Sequence, residues 1–144
     1  MKIFVKSRDD MRSLYPEPGK KTVVVSINDP SLGPPNLQKF GPENVVYLFF
    51  YDTTDPMSSI QPADANTLLD FLEKNRDADV MYVHCFAGIS RSSGTAIAIA
   101  EILGDKEQAD HWRVLKPWYN RYVLNLIQNM YTLRKTREAQ DLAA

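Results

Sequence analysis

One cysteine and one arginine in this 144-residue chain have the types and the spacing of a nucleophile and an anion-binding residue. Cys85 is the only cysteine, and Arg91 follows it by six positions. A thiolate is a strong nucleophile, and a guanidinium can hold two oxygens of one phosphoryl group. The pair therefore predicts covalent attack on phosphorus, with Arg91 and the backbone amides between the two residues holding the phosphoryl oxygens. The predicted phosphate-binding residues are Phe86, Ala87, Gly88, Ile89, Ser90 and Arg91.

Alternating strands and helices must position these residues. Short β-rich segments predict strands at residues 2–5, 22–27, 45–50 and 80–84, of which the second and third are apolar enough to be covered on both faces. Apolar spacing predicts helices at residues 64–76, 91–103 and 106–115, and a last helix that begins near Pro117. This order favours an α/β fold with a small, mainly parallel central sheet flanked by helices, as a single domain over residues 1–144.

The loop between the fourth strand and the following helix is the predicted anion site. In parallel sheets, ligands bind beyond the carboxyl ends of the strands, and a helix N-terminus adds about half a positive charge. A thiol in this position is expected to ionise at neutral pH. Taken alone, Cys85 would usually be a small buried apolar residue and Arg91 a solvated residue at a helix start. Together in this loop they favour catalysis.

Composition excludes several classes of protein. The formal net charge is -1, so there is no basic excess of the kind that nucleic-acid binders carry. No apolar run approaches the roughly 20 residues that cross a bilayer, so no membrane association is expected. The single cysteine and the lack of a signal-peptide pattern favour the cytoplasm. No cluster of metal ligands is apparent, and neither a metal nor another cofactor is expected.

Residues 84–92, HCFAGISRS, resemble the phosphate-binding signature of cysteine-dependent protein tyrosine phosphatases, H-C-x-x-G-x-x-R-[ST]. Residues 87–92 are most similar to the compact dual-specificity branch, and the resemblance covers about residues 22–130. It implies a dual-specificity-phosphatase-like fold and metal-independent hydrolysis through a cysteinyl-phosphate, either of phosphotyrosine alone or of phosphotyrosine together with phosphoserine and phosphothreonine. It also implies that Ser92 hydrogen-bonds the sulfur and that His84 fixes the geometry of the loop and the ionisation of Cys85. The serine could also cap the helix.

The resemblance further requires a general acid on a separate loop before the cysteine, to protonate the leaving oxygen. Asp52 lies 33 positions before Cys85, and Asp55 lies 30 positions before it. We favour Asp52, because compact members carry this acid directly after a strand. Asp55 is the alternative acid, and it could instead stabilise a turn before Pro56.

Three other functions remain as alternatives. A phosphatase for a phosphoinositide or a small phosphate ester is disfavoured for highly phosphorylated substrates, because residues 86–90 carry no charge. A phosphate-binding pseudo-phosphatase would lack the cysteine, the arginine or the acid. A sulfur or arsenate enzyme is disfavoured by the Arg91–Ser92 pair and the single cysteine. The expected partner is a phosphorylated protein or peptide, and the sequence assigns no oligomeric state.

Overall fold

Four parallel strands form one sheet in a computed structural model that describes all 144 residues. The strand order is β1-β4-β2-β3, so that β4 and β2 lie in the centre. All three strand pairs are parallel, which confirms the predicted α/β class. The bounds are β1 Lys2–Ser7, β2 Thr22–Asn28, β3 Val45–Phe49 and β4 Val80–Cys85.

One α-helix lies between β3 and β4, three more follow β4, and three 3₁₀ helices lie in the connections. Asp105 caps α3 and Asn120 caps α4 through their side chains. Helix α4 begins at Arg121 and not near Pro117 as predicted, because the Asn120 side chain accepts a hydrogen bond from the Val123 amide and so fixes the helix start there. The α-helices are α1 Pro62–Lys74, α2 Arg91–Ile102, α3 Lys106–Leu115 and α4 Arg121–Ala143. The 3₁₀ helices are Asp10–Arg12, Gln38–Phe40 and Pro42–Asn44.

The two faces of the sheet are covered differently. Apolar side chains from all four α-helices pack into one large core cluster on the sheet. The other cluster is smaller and is built by residues from the 3₁₀ helices and their flanks, namely Met11, Leu37 and Phe40. Strand β2 is buried along its whole length, as predicted. Strand β3 is not, because it lies at an edge of the sheet and exposes Tyr47 and Phe49.

The first strand belongs to this fold although the sequence resemblance began only near residue 22. Its register with β4 places Ser7 opposite Cys85. Because all strands are parallel, the carboxyl ends of β1, β4, β2 and β3 share one edge of the sheet, where α2 also begins. Candidate catalytic residues therefore lie at this edge. None of the helices combines the length and the apolar character needed to cross a membrane.

Candidate active site

Cys85 is the last residue of β4 and lies at the base of a five-residue loop that ends where α2 begins. Its residue surface is 2% exposed. The Sγ atom lies 3.0 Å from the Ser92 hydroxyl in the first turn of α2. The structure thus brings together the predicted nucleophile and the hydroxyl that the resemblance assigned to its sulfur.

The backbone amides of the loop make no hydrogen bonds within the protein. None of the amides of residues 86–92 donates to a backbone or side-chain acceptor, whereas the Gly94 amide resumes the helical pattern by donating to the Ser90 carbonyl. Backbone amides are strong donors that folded proteins rarely leave without a partner or water. Seven consecutive free donors next to a nucleophile and a helix N-terminus are suited to bind the oxygens of an anion.

Gly88 gives the loop its tight path. Its φ of +71° lies in the left-handed region, which favours glycine. A Cβ atom at this position would lie 2.8 Å from backbone atoms of Lys6 and Ser7 at the end of β1. Both the backbone conformation and the close approach of the first strand therefore require glycine here.

Arg91 is held from one side only. Its Nη1 atom donates to the Asp29 carboxylate at 2.6 Å and to the Phe50 carbonyl at 2.8 Å. Neither Nε nor Nη2 makes a hydrogen bond within the protein, and Nε is fully buried. Arg91 as a whole residue is 4% exposed. Its Nε–Nη2 edge is the one that binds two oxygens of a carboxylate or phosphate, and here that edge is unpaired.

His84 belongs to a buried chain of hydrogen bonds. Its Nδ1 atom lies 3.2 Å from the Cys85 carbonyl, which can only accept, so Nδ1 carries the proton. The Nε2 atom then accepts from the Ser26 hydroxyl at 2.6 Å, and the Asn28 amide donates to that hydroxyl. Burial lowers the pKa of His84 to about 4, so the ring is neutral at neutral pH.

This chain orients the first amide of the loop. In a trans peptide the carbonyl and the following N–H point in opposite directions. The hydrogen bond from His84 to the Cys85 carbonyl therefore turns the Phe86 N–H away from the histidine. His84 thus lies where it fixes the geometry of the loop and not where it exchanges a proton with a substrate.

The two candidate acids occupy different positions in the loop after β3. Asp52 is exposed, and its Oδ1 atom accepts from the Ser90 hydroxyl at 2.8 Å and from the Asn120 side-chain amide at 3.0 Å. Its Oδ2 atom remains free. Asp55 instead accepts from the Met57 amide, and its carbonyl accepts from the Ser58 and Ser59 amides. Asp52 therefore contacts the loop at residues 86–90, the candidate catalytic loop, whereas Asp55 stabilises its own loop through hydrogen bonds within it.

Asn120 contacts both the loop that carries Asp52 and the loop at residues 86–90, and it caps α4. Its side-chain amide also lies 3.3 Å from the Thr53 carbonyl, and its backbone amide donates to the Ser90 carbonyl. A Cβ atom at Gly94 would lie 2.6 Å from the Asn120 carbonyl, so glycine lets α2 approach this segment closely. From the sequence, Asn120 was predicted only as part of the last helix and was given no role in the site.

Sequence reasoning missed the polar residues at the end of β2. Ser26 and Asn28 support His84, and Asp29 pairs with Arg91. A polar run directly after an apolar strand is a usable signal, because parallel strands end at the same edge. It could have placed Asp29 beside the loop, although the strand order was needed to know that β2 and β4 are neighbours.

No group of three or more histidine, cysteine, aspartate or glutamate side chains in the structure is placed to hold a metal ion. No protein-family model matches the chain, and no curated protein sequence matches it significantly.

Solved structures do match the fold over most of its length. PTPMT1 in complex with PI(5)P is 15% identical, with a TM-score of 0.64 over 95% of this chain and 94% of that one. Human DUSP28 is 15% identical, with a TM-score of 0.56 over 94% of each chain. Tk-PTP in the active form is 20% identical, with a TM-score of 0.52 over 85% of this chain and 83% of that one. The chain therefore has a dual-specificity-phosphatase-like fold, and the matches extend beyond residues 22–130.

Proposed function

We propose that this protein is a cysteine-dependent, metal-independent phosphatase that hydrolyses phosphotyrosine, and also phosphoserine or phosphothreonine, in protein substrates. The observation that carries the proposal is the row of unpaired amides at residues 86–92 around a buried cysteine. With the free Nε–Nη2 edge of Arg91, these donors can neutralise a phosphoryl dianion as a metal ion would. The dual-specificity-phosphatase-like fold supports the same conclusion.

The first step is attack of the Cys85 thiolate on phosphorus, in line with the leaving oxygen. The S–P bond forms while the P–O ester bond breaks, and Asp52 transfers the proton of its Oδ2 to the departing oxygen. The hydrogen bonds from Ser90 and Asn120 to Oδ1 leave Oδ2 as the oxygen that carries this proton. The product is a phosphocysteine and a free hydroxyl group.

The second step is hydrolysis of the phosphocysteine. Asp52, now ionised, accepts a proton from water as that water attacks phosphorus. The S–P bond breaks, and the Ser92 hydroxyl stabilises the departing sulfur through its hydrogen bond to Sγ. Inorganic phosphate leaves, and both Cys85 and Asp52 return to their starting states.

Hydrolysis of an aryl phosphate in the presence of a chelator tests this mechanism. Wild-type protein is expected to turn over, and Cys85→Ser is expected to lower kcat on the order of 10⁴-fold or more, because a serine hydroxyl stays protonated at neutral pH and the chain has no other cysteine. Tungstate, a tetrahedral oxyanion, should raise the Tm of both proteins, which shows that the variant keeps its anion site.

Two outcomes would contradict the proposal. Loss of wild-type activity on chelation would show that a metal ion takes part. Tungstate stabilisation without turnover in the wild-type protein would instead support a phosphate-binding pseudo-phosphatase. A phosphoinositide is the competing substrate, since PTPMT1 was solved with PI(5)P, but the uncharged residues 86–90 offer no cation for additional phosphates.

A further inference from the structure

An open cleft of about 600 Å³ lies beside the catalytic loop, outside the residues that the mechanism uses. It is formed by the segment that follows β1 and by the loop that follows β2. Three cations line it, Arg8, Arg12 and Lys39, and no lining residue carries a carboxylate. In a chain with a net charge of -1, this is a local concentration of positive charge.

Arg8 joins the cleft to the catalytic loop. The β1–β4 register places Ser7 opposite Cys85, and the next backbone amide, that of Arg8, donates to the Phe86 carbonyl at 3.1 Å. Arg8 also lines a small cavity together with Phe86 and Asp29. A substrate whose phosphate lies on the loop would therefore extend past Arg8 into the cleft.

Lys39 is a fixed cation in the wall of the cleft. Its Nζ atom donates to the carbonyls of Met11 and Arg12 at 2.7 and 3.0 Å. It also lies 4.3 Å from the centroid of the Tyr15 ring. All of these contacts are with uncharged groups, so they position the ammonium group without neutralising its charge.

The two arginines are also available to a ligand. Arg8 makes no ion pair in the structure. Arg12 lies 3.6 Å from Asp9, but both side chains are more than four-fifths exposed, at 83% and 86%. Such an exposed pair is weak and easily exchanged for another partner.

We propose that this cleft selects protein substrates with acidic residues beside the phosphorylated residue, which extends the proposed phosphatase function and depends on it. The uncharged loop at residues 86–90 can hold the phosphate but cannot distinguish its surroundings. Charge-based discrimination therefore falls to the neighbouring cations. Carboxylates spaced along a peptide fit cations that come from two separate chain segments.

The other lining groups favour a peptide over a compact headgroup. The exposed Gln38 side-chain amide makes no hydrogen bond within the protein and can pair with a peptide backbone. The Tyr15 ring is 62% exposed and offers a flat apolar surface. A headgroup with several phosphates would need cations that converge on one point, and these cations are spread along an open cleft.

The test compares kcat/KM for phosphotyrosine peptides with glutamates or glutamines on either side of the phosphorylated residue. The double variant Arg8→Gln/Arg12→Gln is compared with Lys106→Gln/Lys135→Gln, which removes the same charge from exposed positions on α3 and α4. Wild type is expected to prefer the acidic peptide about tenfold at low salt, since a pair with each of the two arginines contributes about threefold. The preference should shrink in high salt and fall to about twofold or less in the first variant only.

Turnover of a small aryl phosphate separates the two proposals, because this substrate does not reach the cleft. Unchanged aryl phosphate activity in Arg8→Gln/Arg12→Gln, with loss of the acidic preference, supports the cleft. If the preference survives, the cleft has no such role. If this variant instead lowers turnover of an inositol bisphosphate and leaves the peptide preference intact, the occupant is a headgroup and the proposal is wrong.

Failure of the phosphatase function itself gives a different result. Wild type would then hydrolyse neither the aryl phosphate nor the peptides. Fluorescence anisotropy with the labelled peptides, in wild type and in both double variants, still measures the contribution of the cleft to binding. Equal binding of the acidic and glutamine peptides by wild type would overturn the cleft proposal whatever the activity.

Discussion

The catalytic loop and the loop that carries Asp52 are held in place in different ways. His84, Arg91 and Ser92 are 4% exposed or less, and each is tied by hydrogen bonds to a different part of the chain. Asp52 is exposed, and its carboxylate contacts the rest of the site only through Ser90 and Asn120. Folding therefore fixes the proposed phosphate-binding half, whereas two surface contacts position the proposed general acid.

This difference separates binding of the phosphoryl group from departure of the leaving group. Substitutions in the buried half should slow every substrate, because all substrates share the phosphoryl group. Substitutions in the acid loop should lower kcat/KM, which reports the first step, only where the leaving oxygen needs a proton.

Arg91→Lys should lower kcat/KM about 10³-fold for every phosphate ester. Lysine cannot supply the Nε–Nη2 pair of donors, and its ammonium group would leave part of the Asp29 and Phe50 contacts unfilled. Steady-state kinetics with good and poor leaving groups measure the effect, and Arg121→Lys is the exposed control. A loss confined to poor leaving groups would contradict the division between the two halves.

Asp52→Asn should lower kcat/KM, which reports the first step, about 10²-fold for esters with poor leaving groups, such as phosphoserine peptides. Esters of acidic phenols need no proton and should change only a few-fold. Asp55→Asn is the matched control, since that carboxylate accepts from the Met57 amide within its own loop. If Asp55→Asn shows the dependence on the leaving group and Asp52→Asn does not, the assignment of the acid is reversed.

Ser92→Ala should lower kcat about tenfold by removing the hydrogen bond to the departing sulfur. The effect falls on the second step, so phosphoenzyme should accumulate and appear as a burst of product. Ser93→Ala is the matched control in the same helical turn, because the Ser93 hydroxyl donates to the carbonyls of Ile89 and Ser90 and not to the sulfur. A burst of product in Ser93→Ala and not in Ser92→Ala would show that Ser93, and not Ser92, assists departure of the sulfur.

Local patterns predicted the elements and the loop well. Strong apolar periodicity and a glycine next to small residues gave all four strands, the order of the helices and the position of the turn at residues 86–90. The bounds of α3 were predicted without error, because Asp105 caps its start and the apolar pattern stops at Leu115. These features depend on residues that are close together in the sequence, so they can be predicted from the sequence alone.

The strand order and the polar partners were not readable in this way. The apolar run at residues 45–50 suggested a strand covered on both faces, yet β3 lies at the edge and exposes Tyr47 and Phe49. The Arg91–Asp29 pair joins residues 62 positions apart. Such a pair depends on which strands are neighbours, and the pattern of a single sequence does not specify that.

Stability should also depend on pH, through the buried chain of hydrogen bonds behind the loop at residues 86–90. Burial lowers the folded-state pKa of His84 to about 4, below the usual 6.5. The unfolded chain therefore gains a proton between these values that the folded protein does not, so His84 contributes stability above pH 6.5 that is lost as the pH falls toward 4. The loss should reach about 2 kcal/mol by pH 5. Urea unfolding of wild type and His84→Asn across this range measures it, with exposed His111→Asn as the control. A slope in His84→Asn equal to that of wild type would show that folding does not lower the pKa of His84.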